Sequence, residues 1–205
     1  MATVTTEPPT RAKATPLDHP YEISVNLYQR MIDLGVFRAS DPVYLWKGRL
    51  VAKMTKGRQH VVTLTKLYDR VVKVIPDGWH VEQEQPIEIG RTSMPEPDLM
   101  VVRGSPDDYL NRAPGPGDVA LIVEVADSSL AEDQGDVLVT YAEKMIPIYL
   151  IVNLPQRRME VHTDPTGPAE AAFYRTVRFY GLAEELPLIL DGLEIARFAV
   201  RDLLP

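Results

Sequence analysis

Two acidic residues stand within runs of strand-forming residues, where a carboxylate is costly to bury. Asp98 opens D-L-M-V-V-R after the rigid entry Pro95-Glu96-Pro97, and Glu124 interrupts the run A-L-I-V-E-V-A. A buried carboxylate is unfavourable unless a counter-charge or hydrogen-bond donors accompany it. Two carboxylates at neighbouring strand ends suit a hard cation, Mg²⁺ or Mn²⁺, which prefers oxygen ligands and polarises a phosphoryl oxygen. The alternatives are that Glu124 pairs with a lysine or arginine, or meets water at a margin of the sheet.

Other reactive groups are excluded or have simpler roles. The chain has no cysteine, which excludes disulfides, thiol nucleophiles and cysteine-based metal sites. His19, His80 and His162 have no metal-ligand spacing, so we interpret them as structural or surface residues. Ser129 and Glu132 form a capping-box pattern, so we interpret Ser128-Ser129 as a helix start rather than a nucleophile.

The hydrophobic periods place both acids in an α/β fold. They predict helices over 21–37, 60–75 and Leu130–Met145, and a hairpin over 43–54 that turns at Lys47-Gly48. Strands are predicted at 79–84, 98–103, 120–126, 147–153, 158–163 and 172–180. The strands at 120–126 and 147–153, joined by the third helix, predict a parallel β-α-β unit. The tail from Leu186 is predicted to form a strand and a short helix.

Length and composition favour one domain. The chain has 205 residues, of which 45% are hydrophobic and 25% charged, as in soluble globular proteins. Residues 1–20, rich in Thr and Pro, predict a disordered lead-in, and residues 21–205 the folded domain. No apolar run is long enough to span a bilayer. We therefore expect a cytoplasmic protein with no membrane partner.

Charge is distributed unevenly along the chain. Residues 47–73 contain eight lysines and arginines and one acid, a local charge of +7 that leaves −14 for the rest of a chain of net charge −7. Such a basic region predicts contact with the DNA backbone. The alternative is that these residues only solvate a helix and a hairpin. The candidate nucleic-acid-binding residues are Lys53, Lys56, Arg58, His60, Lys66, Arg70 and Lys73.

Three stretches in this order carry a family resemblance. They are P-E-P-D-L-M-V-V, then V-A-L-I-V-E-V-A-D-S-S-L-A-E-D, then Y-A-E-K-M-I-P-I-Y-L-I-V. Together they resemble the Uma2 family (domain of unknown function 820), which is similar to restriction endonucleases of the PD-(D/E)XK superfamily. The resemblance implies a restriction endonuclease-like α-β-β-β-α-β core with a mixed central sheet. It also implies that Asp98 and Glu124 are the catalytic pair and the metal ligands, and it makes a homodimer plausible by analogy.

Three positions depart from the pattern of this resemblance. The superfamily places a lysine two residues after the second acid, where this chain has Ala126. Uma2 proteins typically place it on the following helix in D-x-G-E-K, where this chain has Val137. The glutamate usual in the first hairpin is replaced by Tyr44. Lys53, Lys56 and His60 are the candidate substitutes for the missing cation, whereas Lys144 lies about 10 Å along the helix from Val137.

The sequence therefore predicts a Mg²⁺- or Mn²⁺-dependent DNA endonuclease, weakened by the loss of the usual lysine and first glutamate. The alternative is a catalytically degenerate nuclease-fold module that binds nucleic acid or a protein partner. The retained acids favour the nuclease, and Val137 with Tyr44 favours the degenerate module.

Overall fold

The computed structural model describes residues 20–38, 41–168 and 171–205. The predicted lead-in at 1–20 and His19 lie outside these ranges, except for Pro20. In chain order the elements are α1 (Val25–Asp33), β1 (Val43–Trp46), β2 (Arg49–Ala52), α2 (Arg58–Val71), β3 (Trp79–Gln83), β4 (Leu99–Arg103), β5 (Val119–Ala126), α3 (Leu130–Glu132), a π-helical turn (Asp133–Val137), α4 (Leu138–Glu143), β6 (Ile148–Asn153), β7 (Arg158–Pro165), β8 (Tyr174–Gly181), β9 (Glu185–Leu190), β10 (Leu193–Ala199) and α5 (Val200–Leu203).

The centre is a six-stranded mixed sheet in the order β3-β4-β5-β6-β7-β8. Strands β5 and β6 are parallel, and the other neighbouring pairs are antiparallel. The run α2-β3-β4-β5-helix-β6 is the predicted α-β-β-β-α-β core, which is confirmed. Its parallel pair needs a crossover connection, and the helical segment 130–143 supplies it.

The alternating side chains of β5 separate two apolar layers. Leu121, Val123 and Val125 face a core shared with α2, α5 and the β9–β10 hairpin. Ile122 and Ala126 face a second core that contains Tyr141 of α4. Glu124 shares the parity of Ile122 and Ala126, so its side chain lies on the α4 side of the sheet.

The predicted first hairpin is confirmed. Val43 pairs with Ala52 and Trp46 with Arg49, and the turn residues Lys47 and Gly48 have φ of 47° and 74°. Two successive positive φ values match the twist that a two-residue hairpin turn requires. Leu45 of this hairpin packs into a third apolar cluster with α1.

The prediction for the tail was partly wrong. It contains two strands, β9 and β10, paired in a separate two-stranded sheet, followed by α5. Asp191 and Gly192 form the turn with φ of 48° and 79°. An Asp-Gly pair between apolar runs is a strong hairpin signal. The prediction of a single strand did not take this pair into account.

The helix predicted over 130–145 is present but interrupted. Residues 133–137 form a π-helical turn, within which Gly135 has non-helical dihedrals. The predicted capping box is wrong, because Ser129 makes no side-chain cap bond. Its hydroxyl donates instead to Asp133 Oδ2 at 2.6 Å.

Across the described residues, none of the helices combines the length and the apolar character needed to cross a bilayer.

Candidate active site

Asp98 and Glu124 lie next to each other at the ends of neighbouring strands. Leu99 pairs with Val123 in the β4–β5 ladder, so the following step of the register brings the two acids together. The Asp98 backbone N–H donates to Glu124 Oε2 at 3.3 Å. The sequence order thus becomes a pair of adjacent carboxylates.

Asp98 is held as an anion. Its side chain is almost buried, and Lys56 Nζ donates to Oδ1 at 2.7 Å while His60 Nε2 lies 2.9 Å from Oδ2. The Val125 N–H also donates to Oδ2, at 2.7 Å. Burial by itself raises the pKa of Asp98, but the hydrogen bond from His60 and the charge of Lys56 outweigh it and hold the pKa below its usual value.

The surroundings of Glu124 have the opposite effect and favour its protonated form. The Tyr141 hydroxyl donates to Glu124 Oε1 at 3.1 Å, and no lysine or arginine of the described ranges bonds its carboxylate. Burial, followed by the nearby carboxylates of Asp98 and Asp133, raises the pKa of Glu124 well above its usual value. The alternative that Glu124 pairs with a lysine or arginine is therefore not realised.

Both acids open into a cleft of about 500 Å³. The cleft is strongly acidic, since six carboxylates line it against two lysines. Its charged and histidine side chains are Glu84, Glu96, Asp98, Glu124, Asp127, Asp133, Lys53, Lys56 and His60. Such a concentration of negative charge attracts cations and repels an unaccompanied phosphate.

The predicted nucleic-acid-binding residues divide into two groups. Lys53, Lys56 and His60 line the cleft, where Lys53 pairs with Glu96. Arg58 is exposed at the first position of α2, beside that cleft.

The other three lie further along the same helix and beyond it. Lys66 donates to the Leu204 carbonyl at 2.8 Å and Arg70 to that of Asp202 at 3.4 Å, while Lys73 is exposed. The structure thus places Lys66 and Arg70 against the C-terminal segment. Thr63 of the same helix is fully buried. Nucleic-acid binding by these residues stays a prediction.

The positions that depart from the family pattern line the same cleft, with one exception. Tyr44 and Val137 both contribute to its wall, whereas Ala126 is buried in the core. Burial and the charge of Glu124 raise the pKa of Tyr44. Lys144 pairs with Glu143 at 2.9 Å and is not among the cleft residues.

Three cleft residues were missed by the sequence reasoning. Asp133 is buried, and burial raises its pKa to about 6. Its place in D-Q-G-D-V, after a serine that bonds it, was the available signal. Glu84 bonds Lys56 at 2.6 Å, a contact between loops that no local pattern indicates. Tyr141 has the helical spacing of a core residue, and its hydrogen bond to Glu124 depends on how the helix packs against β5.

The donor set fits a magnesium-like ion. No group of three or more His, Asp or Glu in the described part of the chain forms a complete metal cluster. However, Mg²⁺ is usually held by one or two carboxylates, with water and substrate phosphate completing its shell. Asp98 and Glu124 provide such a pair, and their mutual repulsion is what a divalent cation relieves.

Comparison with known proteins points to one family. The fold resembles a crystal structure described as a "putative nuclease belonging to DUF820" from Anabaena variabilis ATCC 29413, with a TM-score of 0.64 and 11% identity. The likeness covers 88% of this chain and 97% of that chain, and at this identity it shows the fold alone. Comparison with curated proteins gave no match.

The family model agrees with the resemblance seen in the sequence. Residues 26–200 match the model of Uma2, a family described as "Putative restriction endonuclease". Because this match spans most of the chain, the protein belongs to the Uma2 family.

Proposed function

We propose that the chain is a Mg²⁺- or Mn²⁺-dependent endonuclease of the cytoplasm that hydrolyses phosphodiester bonds of DNA. The observation that carries this proposal is the Asp98–Glu124 pair, with the Asp98 N–H 3.3 Å from Glu124 Oε2, at the base of an acidic cleft. Membership of a family described as "Putative restriction endonuclease" supports the same reaction class.

Asp98 and Glu124 would hold the ion, and the surrounding residues keep them in place. A divalent ion bound there would polarise a phosphate oxygen and offset the charge that develops on it. His60 and the Val125 N–H fix the Asp98 carboxylate, and Tyr141 fixes that of Glu124. Lys53, at the cleft wall, and Arg58, beside it, would contact the DNA backbone.

Cleavage of plasmid DNA tests the proposal. Wild-type protein should cut in Mg²⁺ or Mn²⁺ and not in a chelator, and Asp98→Asn and Glu124→Gln should each reduce the rate by at least about 100-fold. Asp164→Asn, which alters an exposed carboxylate paired with Arg175, is the control and should cut like the wild type. A wild type that cuts and is matched by Glu124→Gln would refute this site.

A second candidate rests on the missing lysine. Val137 and Tyr44 occupy the cleft wall without a charge, and a lysine that orients water or stabilises the phosphate contributes a factor of about 10²–10⁴. A degenerate module would bind DNA or a protein partner without cutting. Binding without detectable cleavage in either metal would favour this candidate.

A homodimer is part of the proposal by analogy with restriction enzymes. Sedimentation equilibrium measures the mass directly, and a monomer at all protein concentrations would remove this expectation.

A further inference from the structure

One contact in the cleft is unexpected for a metal-binding carboxylate. Lys56 Nζ lies 2.7 Å from Asp98 Oδ1 and 2.6 Å from Glu84 Oε1. Its ammonium group therefore bridges the proposed metal ligand and a second acid. A positive charge therefore lies directly beside Asp98.

The backbone of Glu84 supports this contact. Glu84 has a φ of 53°, the left-handed region that a non-glycine residue occupies only at a cost. Its N–H bonds the carbonyls of Pro97 and Asp98 at 3.1 and 3.2 Å, which ties Glu84 to the segment that carries the metal ligand. Costly backbone conformations held by their surroundings are concentrated at functional sites.

Lys56 is the accessible partner of Asp98. Residues 53–57 belong to neither a helix nor a strand, and the Lys56 side chain is 35% exposed. The Asp98 side chain is only 8% exposed, and its other oxygen is occupied by His60 and Val125. Oδ1 is therefore the oxygen that an incoming ion can reach, and Lys56 occupies it.

We propose that Lys56 and a divalent metal ion compete for Asp98, so that the lysine acts as a built-in counter-ion that the metal must displace. This inference rests on the proposed function, because it takes Asp98 as the metal ligand. A buried carboxylate is stabilised by a neighbouring positive charge, and either cation supplies one at Oδ1. Electrostatic repulsion between the ammonium and the ion disfavours simultaneous occupancy.

If Lys56 competes with the metal, removing it should change metal affinity in the opposite direction to that expected of a purely structural contact. If Lys56 only positioned Asp98, its removal would weaken metal binding. If it competes, removal both vacates Oδ1 and deletes a repelling charge, so metal affinity rises. We expect Lys56→Gln to bind Mn²⁺ about 3- to 10-fold more tightly than wild type.

Isothermal titration of Mn²⁺ into the full-length protein measures this effect without any cleavage. Lys56→Arg keeps the charge and should bind Mn²⁺ no more tightly than wild type. Lys144→Gln is the matched control, because Lys144 pairs with Glu143 outside the cleft, and its affinity should equal that of wild type. Adding Asp98→Asn to Lys56→Gln should abolish the gain, which shows that the ion binds at Asp98.

The outcomes separate this inference from the proposed function. Tighter binding by Lys56→Gln, including binding that appears only in the variant, supports competition even if no variant cuts DNA. Unchanged or weaker binding, or no binding by either protein, overturns it. Plasmid cleavage lost in Asp98→Asn would still support the nuclease in that case. A gain equal in Lys144→Gln would assign the effect to net charge and also overturn it.

Discussion

The surroundings of Asp98 and Glu124 shift the pKa values of these two carboxylates in opposite directions. Lys56 and His60 keep Asp98 charged, whereas burial and neighbouring carboxylates favour the protonated form of Glu124. Environments that move the pKa values of two acids apart are typical of catalytic pairs. Binding of a divalent ion would require Glu124 to ionise, so metal affinity should rise with pH.

The buried carboxylate of Asp133 makes stability depend on pH. Its pKa is raised from 3.8 to about 6, so the native state binds more protons than the unfolded state within that interval. The contribution of Asp133 to unfolding free energy is therefore greatest below pH 3.8 and is lost as pH rises through 6. Asp133→Asn should remove this dependence and stabilise the metal-free protein by on the order of 2 kcal/mol above that interval.

Urea unfolding in a chelator at several pH values measures this prediction. The control is Asp164→Asn, whose carboxylate is exposed in a pair with Arg175, and it should keep the wild-type pH profile. An Asp133→Asn profile that stays parallel to wild type would show that burial of this carboxylate carries no cost.

The missing lysine gives a test by gain of function. Val137→Lys places an ammonium group in the cleft and should raise the cleavage rate at least about tenfold. Val139→Lys is the matched control, because Val139 lies two residues further on and is exposed outside the cleft. If both variants, or neither, gained activity, the assignment of Val137 to the family's lysine position would lose its support.

The sequence identified the acids but not their partners, for a physical reason. Asp98 and Glu124 interrupt strand patterns, so the cost of burying them is visible locally. Lys56 reaches Asp98 from a loop 42 positions away. Such a contact depends on how the elements pack, and neither the hydrophobic period nor the spacing of residues along the chain indicates it. Lys56 was therefore only one of three candidate cations.

At the scale of elements, the π-helical turn is fixed from two sides. Asp136 accepts from Trp46 Nε1 at 2.8 Å and pairs with Lys47 of the first hairpin. Gln134 donates to Glu160 of β7 at 2.8 Å. The turn also carries Asp133 and Val137 into the cleft, so the hairpin and the sheet jointly position that wall.

Asp136→Ala should loosen the hairpin against this turn. The contacts are exposed, so we expect a loss of only about 1 kcal/mol in unfolding free energy. Hydrogen exchange should nevertheless accelerate over 43–52 and 133–137. Glu143→Ala, which removes the exposed pair with Lys144, is the control and should leave the hairpin protected. Unchanged exchange in Asp136→Ala would mean that packing alone holds the hairpin.

Elements with a clear hydrophobic period were predicted well, and those without one were not. The β5-helix-β6 unit and the Lys47-Gly48 turn follow from local patterns that the packing reinforces. The π-helical turn has no hydrophobic period of its own. The β9–β10 hairpin was missed because its apolar residues read equally well as one strand and a helix, although Asp191-Gly192 marked the turn.

At the scale of the whole molecule, the basic region and the acidic cleft oppose each other. The net charge of −7 and the six cleft carboxylates repel DNA, while Arg58 beside the cleft attracts it. DNA affinity should therefore be weak in a chelator and rise with divalent metal. It should also fall steeply with salt, as expected when phosphates are neutralised.

Substitutions test where DNA would contact the protein. Arg58→Gln should reduce the slope of log affinity against log salt by about one. Arg175→Gln, on the far edge strand β8, should not. A double variant, Lys66→Gln with Lys73→Gln, tests whether the footprint extends along α2 and past its end. Binding that ignores salt would remove the basic region from the proposal.

The most direct test of the Asp98–Glu124 pair is a crystal soaked in Mn²⁺, with anomalous scattering used to locate the ion. We expect one strong peak at about 2.0–2.2 Å from a carboxylate oxygen of each acid, with the Lys56 ammonium group moved away from Asp98. No peak in the cleft, a peak on other acids, or Lys56 still bonded to Asp98 Oδ1 beside a bound ion would contradict it.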